Sequence, residues 1–276
     1  WQGYYGGDGV KNAINPKDKN NVFACSQYGA CGRSIDGGNS MSSMDTDVAS
    51  SSRKGWLTPI EFAPDDPNVV YYAGSNVHRS TDKGANWEMI SPDLGEGDAG
   101  GETNPLYAAH YGTVQALGLN KKNPDVIYAG TDNAKLWKTT DGGTLWTKIA
   151  NDKLPNRWIT HIAVKPTNPN VLYVSYSGYR NADQSAYVFR SKDGGENWKN
   201  VSKSLPKAPV NDLVLVGKRL YAASDVGVFV TRANRARWKK VGRGLPMCPI
   251  NDLRYVSKNK SLYAGTFGRG IYKVKP

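Results

Sequence analysis

The chain has 276 residues, a formal charge of +12 and 39% hydrophobic residues, the balance of a globular protein rather than a disordered one. No apolar run approaches the roughly 18 residues that a membrane-spanning helix needs. The charge favours polyanionic partners. Its Lys and Arg residues, among them Lys17, Lys19, Lys83, Lys121, Lys122, Lys203, Lys239 and Lys240, are spread along the chain without an Arg-rich block, which argues against a specific nucleic-acid reader.

The first residues, Trp1–Gly7, read as an outer strand that precedes the first repeat. A unit from Asn15 to Met41 follows. Inside it, Cys25 and Cys31 sit on either side of a hairpin that turns near Tyr28-Gly29, where a cross-strand disulfide and two free thiols are both open. Three cysteines are too few for a disulfide scaffold, and His78, His110 and His161 are too scattered for a zinc site. Further units run from Ala63 to Trp87, Asn120 to Trp146, Lys165 to Trp198 and Val216 to Trp238. The last, VSKNKSLYAGTFGRGIYKV, ends at Val274.

Each unit parses alike. An alternating strand such as ITHIAVKP leads into an Asn/Pro turn, Thr167-Asn168-Pro169-Asn170. An apolar β-branched strand (VLYVS) and a hairpin to a third strand (YVFRS) follow, and a short fourth strand (WKNVS) closes the unit. Four antiparallel strands recurring every several tens of residues predict an all-β β-propeller with no helix of useful length. Five complete units and one composite blade closed by both termini make six blades in one domain over residues 1–276. The alternative is part of a ring of seven or more blades, because the chain starts at Trp1 and reads as a piece of something longer.

The turn between third and fourth strands repeats as Ser80-Asp82-Gly84-Trp87, Thr139-Asp141-Gly143-Trp146 and Ser191-Asp193-Gly195-Trp198. The Ser34-Asp36-Gly38 copy has Met41 in place of Trp, and the Thr231–Trp238 copy lacks Asp and Gly. The Asp accepts backbone N–H bonds, the glycines allow positive φ and the Trp packs between blades. Asp36, Asp82, Asp141 and Asp193 are therefore expected to be structural. Asn200-Val-Ser and Asn259-Lys-Ser are formal glycosylation sequons.

These turns, the phrase Ser91-Pro92-Asp93-Leu94, the opening Gly6-Gly7-Asp8-Gly9 and the closing Gly265-Thr-Phe-Gly268-Arg269-Gly270 together resemble the secreted bacterial BNR-repeat, or Asp-box, proteins. That family is itself similar to sortilin ectodomains and is often called glycosyl hydrolase-like. The resemblance covers essentially the whole chain. It implies an exported or cell-surface protein with further repeats upstream, and leaves activity undefined. Phe267 stands where a His is common in that family, so a role tied to that His does not carry over.

In such a topology the Asn/Pro turns and the Asp turns share one end of the blades. The second-to-third hairpins and the inter-blade connections share the other. The long stretches Asn39–Trp56, Ser91–Tyr111 and Ser177–Ala186 all fall in the second group, which is expected to carry the ligand. That end would present Trp56, Tyr107, His110, Tyr111, Trp158, Tyr179, Arg180 and Arg269, with Asp132 and Arg157 nearby. Rings of this kind stack on the apolar faces of sugars while charged groups bond the hydroxyls.

The expected function is a non-catalytic binding or scaffold propeller for a glycan or a protein, with the positive charge favouring an anionic ligand, and with no cofactor and no metal. The alternative is a glycoside hydrolase, which needs paired carboxyls about 5–9.5 Å apart. Asp8 with Asp183 or Asp225 is the candidate pair, since the five Glu residues (Glu61, Glu88, Glu96, Glu102, Glu196) are poorly placed. A third reading is a peptide-binding tunnel like that of sortilin.

Overall fold

The computed structural model describes residues 6–44, 48, 52–97, 110–149, 152–242 and 244–274. The strands form six separate antiparallel meanders, the blades of a six-bladed β-propeller, and the chain divides into two compact units, Trp1–Ile149 and Ala150–Pro276.

The first unit holds three blades. Blade 1 is β1 (Lys11–Ile14), β2 (Val22–Cys25), β3 (Cys31–Ser34) and β4 (Ser42–Ser43). Blade 2 is β5 (Ile60–Phe62), β6 (Val70–Ala73), β7 (Val77–Ser80) and β8 (Glu88–Met89). Blade 3 is β9 (Val114–Gly118), β10 (Ile127–Thr131), β11 (Leu136–Thr139) and β12 (Thr147–Lys148).

The second unit holds the rest. Blade 4 is β13 (Trp158–Val164), β14 (Leu172–Gly178), β15 (Asp183–Ser191) and β16 (Lys199–Asn200). Blade 5 is β17 (Val210–Val216), β18 (Arg219–Ser224), β19 (Gly227–Arg232) and β20 (Lys239–Val241). Blade 6 is β21 (Ile250–Val256), β22 (Ser261–Thr266) and β23 (Gly270–Val274). The fourth strand expected for it from the chain start lies largely outside the described residues.

Burial follows from the layering. Second strands are covered on both faces, so β6, β10 and β14 are buried along their whole length, with Thr131, Ser175 and Ser177 the buried polar residues among largely apolar ones. The fourth strands β4, β8, β12 and β16 are two residues long and exposed, and such short edges offer little template for further pairing. The core therefore lies between consecutive blades. Ile90, Leu94, Ile127, Trp137 and Trp146 share one cluster in the first unit. Val188, Val201, Leu213, Phe229 and Trp238 share one in the second.

The Ser/Thr-x-Asp-x-Gly turns are built on one plan. The Ser or Thr hydroxyl donates to the Asp carboxylate at 2.7–2.8 Å in all four copies. The same oxygen accepts the Gly N–H at 2.8–3.1 Å. A backbone N–H four residues after the Asp closes the loop at 2.9–3.0 Å, from Ser40, Asn86, Leu145 and Asn197. The Ser40 hydroxyl and N–H at Asp36, and the Asn197 N–H and amide at Asp193, hold these carboxyls down to about 2. Gly143 sits at φ +110, and a Cβ there would come within 2.7 Å of the Ile90 carbonyl, so glycine is required on both counts.

Each turn is bonded to the first-to-second turn of its own blade. Gly37, Lys83, Gly142 and Gly194 donate their N–H groups to the carbonyls of Asn20, Asn68, Asp125 and Asn170 at 2.8–3.0 Å. The two kinds of turn thus share one end of each blade, here called the box end. The second-to-third hairpins lie at the other, the hairpin end. Three tryptophans reach the preceding blade: Trp146 Nε1 donates to Ile90 at 2.7 Å and Trp238 Nε1 to Val201 at 2.7 Å, while Trp87 meets Phe23 edge-on; Trp198 Nε1 instead donates within its own turn, to Gly195 at 2.9 Å.

Candidate functional site

Cys25 and Cys31 pair across β2 and β3 and form a disulfide. The hairpin it closes puts Tyr28 at φ +58, a left-handed conformation that costs a non-glycine residue of order 1 kcal/mol and marks a position worth a functional reading. The hairpin is held from below by the Tyr72 hydroxyl, which donates to the Gly29 carbonyl at 2.9 Å. The Tyr28 ring stacks on His110 at 3.9 Å and 28°, and meets Trp56 edge-on at 5.2 Å and 85°. These three rings come from one hairpin and two inter-blade connections. Trp56 keeps 45% of its surface exposed.

Both connections are fixed by Arg53. Its guanidinium grips Asp93 with two bonds of 2.7 and 2.9 Å and donates to the carbonyls of Tyr111 and Gly112 at 3.1 and 3.0 Å. Partial burial works against ionisation of Asp93, but Arg53 and the Gly95 and Gly97 N–H groups outweigh it and hold the carboxyl below its ordinary value. His110 Nδ1–H donates to the Lys54 carbonyl at 2.8 Å. The Lys54 ammonium is itself buried, donates to Val48 at 2.8 Å, and is pulled down to about 8 by desolvation.

Trp56, His110 and Tyr111 thus gather at the hairpin end of the first unit. Tyr107 lies outside the described residues. Asp132 is buried and accepts the Thr113 N–H at 2.9 Å, so it braces β9. Asp8 is exposed, and its N–H donates to the Gln27 side chain at 2.9 Å. Tyr28, Arg53 and Lys54 were not among the sequence candidates.

In the second unit the stretch Ser177–Ala186 is not a long loop. β14 and β15 extend and pair as far as Gly178 and Asp183, leaving a turn at Tyr179–Asn181. Arg180 lies 4.5 Å over the Trp158 ring and Tyr179 is 71% exposed. Asp183 accepts the Ser185 N–H at 2.9 Å, the Tyr187 hydroxyl at 2.7 Å and Arg157 Nε at 3.1 Å. These donors hold its carboxyl far below the usual range. Asp225 instead accepts the Asn211 amide at 2.8 Å. Among the described residues, no hydrogen bond or ion pair joins Asp183 to Asp225. Arg269 is exposed in the β22–β23 hairpin beside Phe267.

A second feature escaped sequence reasoning. The first strands carry β-bulges, at Ile159/His161 and Val210/Asp212, which re-aim side chains along the blade stack. His161 Nδ1 lies 2.8 Å from Asp212, whose carboxylate also accepts the Leu213 and Leu253 N–H groups at 2.6 Å. Burial opposes ionisation of Asp212, and His161 and the Leu253 N–H keep its carboxyl low.

Meander blades with these hydroxyl–carboxylate turns define the chain as a β-propeller of the repeat class. The family model described as "Sortilin, neurotensin receptor 3" (Sortilin-Vps10) matches residues 75–212, half of the chain. The chain belongs to that family. Over 168 residues it is 27% identical to the xyloglucanase Xgh74A of Acetivibrio thermocellus, a match that takes in 50% of this chain and spans only 19% of that enzyme. An ancestral GH74 enzyme shares the fold with a TM-score of 0.68 at 16% identity, over 97% of this chain and 36% of its own. The structure of YCF48 bound to D1 peptide does so with 0.64 at 13% identity, over 98% and 79%.

Proposed function

We propose that this chain is an exported, non-catalytic propeller that binds a glycan at its hairpin end through the Tyr28–Trp56–His110 cluster. The observation that carries this reading is the half-exposed Trp56 ring, positioned by a strained Tyr28 and by connections stapled through Arg53. A fixed, partly exposed ring is the element that stacks on a sugar face at low entropic cost. The likeness to a xyloglucanase supports a polysaccharide as ligand. The Cys25–Cys31 disulfide supports an oxidising compartment, hence export. No helix among the described residues is long and apolar enough to cross a membrane.

Hydrolysis is the second reading, favoured by the activity for which that relative is named. It requires one carboxyl that holds a proton near neutral pH. Asp183 is a poor acid because three donors keep it ionised. Asp8, exposed ahead of β1, is the other candidate carboxyl and is tested directly.

Calorimetric titration with xyloglucan oligosaccharides, run beside a reducing-end assay, tests both. Binding is expected, weakened about tenfold in Trp56→Ala, the loss of one stacked ring. Reducing ends released by the wild type and not by Asp8→Asn would replace this reading with the hydrolase.

A further inference from the structure

At the box end of the second unit, blades 4 and 5 part to leave a cleft of about 760 Å³. Among the described residues, no carboxylate lines it. Its walls carry Arg190, Lys192, Lys218, Arg219, Arg232 and Arg235. None of these six makes an ion pair with an Asp or Glu among the described residues.

Of the six, Arg190 alone is buried. It is nine-tenths buried at the end of β15. One guanidinium nitrogen donates to the Ala233 carbonyl at 3.2 Å, and the Tyr173 hydroxyl donates to the same oxygen. Its Nε is buried with no acceptor. A buried guanidinium is normally matched by a carboxylate or another anion, because desolvating it unpaired costs several kcal/mol. Among the described residues, no carboxylate pairs with it.

The sequence explains the gap. In blades 1 to 4 the turn between third and fourth strands holds an Asp three positions into the motif and a Gly two further on. In blade 5 those positions are Ala233 and Arg235. The turn has lost its carboxylate and gained a cation, and Thr231 closes it by donating to the Arg237 carbonyl at 2.9 Å instead. The change that reads as erosion of the motif also converts this end of the cleft to a uniformly positive wall.

We propose that this cleft is an anion-binding site for an acidic polysaccharide, one whose sugars carry carboxylate or sulfate groups. Arg190 at its floor takes one anionic group and the rim cations take those of flanking sugars. The cleft suits a sugar unit in volume. It lacks an exposed aromatic ring, Tyr173 being buried, so it has no platform for a nucleic-acid base. It is separate from the aromatic cluster and does not rest on that assignment.

The test is calorimetric titration of the folded chain with oligogalacturonate and with dextran sulfate, beside neutral dextran and a single-stranded DNA oligonucleotide. Three variants accompany it. Arg232→Glu/Arg235→Glu reverses two exposed rim charges. Lys258→Glu/Lys260→Glu makes the same net change outside the cleft. Arg190→Met removes the floor cation, with circular dichroism to confirm folding.

The rim variant is expected to lose about tenfold or more in affinity for the acidic sugars, the worth of one or two charge-assisted bonds. The control is expected to lose less than about threefold, as screened surface charge does. Comparable selectivity for carboxylated and sulfated chains marks a general anion site; preference for one names its substituent. Equal losses in both double variants would reduce the effect to net charge and overturn the proposal. So would an absence of binding, or DNA bound as tightly as the acidic sugars. Xyloglucan binding through Trp56 is unaffected by any of these outcomes.

Discussion

Lys54 shows how much a single side chain can cost its own fold. Its ammonium is buried and donates to the Val48 carbonyl, and desolvation pulls its pKa from 10.5 to about 8. Below about pH 8 both folded and unfolded chains hold the proton, and the folded state bears the burial cost in full. Between about 8 and 10.5 the unfolded chain still binds a proton that the folded one has released, so stability rises with pH across that window. Lys54→Met, which keeps the stem and removes the charge, is expected to be more stable than the wild type at pH 7. The difference in melting temperature narrows as the pH is raised toward 10, and a difference independent of pH would refute the account. Neither Lys54 nor Tyr28 was legible in the sequence. A buried lysine and a left-handed tyrosine are set by where two long connections land, and composition and periodicity do not record that. Trp56 and His110 were legible, because aromatic side chains in connections at the hairpin end follow from strand counting alone.

At the scale of the element, the strand order could be read from the recurring Trp and Asp turns because each repeat closes the same hydrogen-bonded loop. The blade 4 hairpin could not. Ser177–Ala186 holds small and polar residues that resemble a loop, yet β14 and β15 pair through it, since exposed hairpin strands are held by backbone bonds rather than by apolar alternation. Inter-blade energetics rest on the tryptophans. Trp146 is 7% exposed, sits in the blade 2–3 cluster and satisfies the Ile90 carbonyl. Trp146→Ala leaves a cavity and an orphaned acceptor, and is expected to destabilise the fold by about 3–5 kcal/mol. Trp56→Ala, at a half-exposed ring, is expected to cost about 1 kcal/mol or less. Urea titration of the two variants checks the contrast; similar midpoints would mean that Trp146 does not bear the blade contact assigned to it.

At the scale of the whole molecule, +12 is a long-range property while the two proposed sites are short-range ones. Net charge attracts any polyanion, but only across distances that salt leaves unscreened: about 10 Å at 0.1 M and about 3 Å at 1 M. A stacked sugar ring involves no charge at all. The aromatic cluster and the basic cleft should therefore part company as salt is raised. Retention on a neutral polysaccharide is expected to hold constant, being set by apolar contact and short hydrogen bonds. Retention on an acidic one is expected to fall steeply at first, as the diffuse attraction is screened. It then levels at a residue that depends on Arg190, because a buried guanidinium in direct contact with an anion is screened far less than surface lysines are. Affinity electrophoresis of wild type and Arg190→Met over a salt series reads both limbs. Curves that coincide for the two proteins at every salt concentration would assign all polyanion binding to the net charge and none to the cleft.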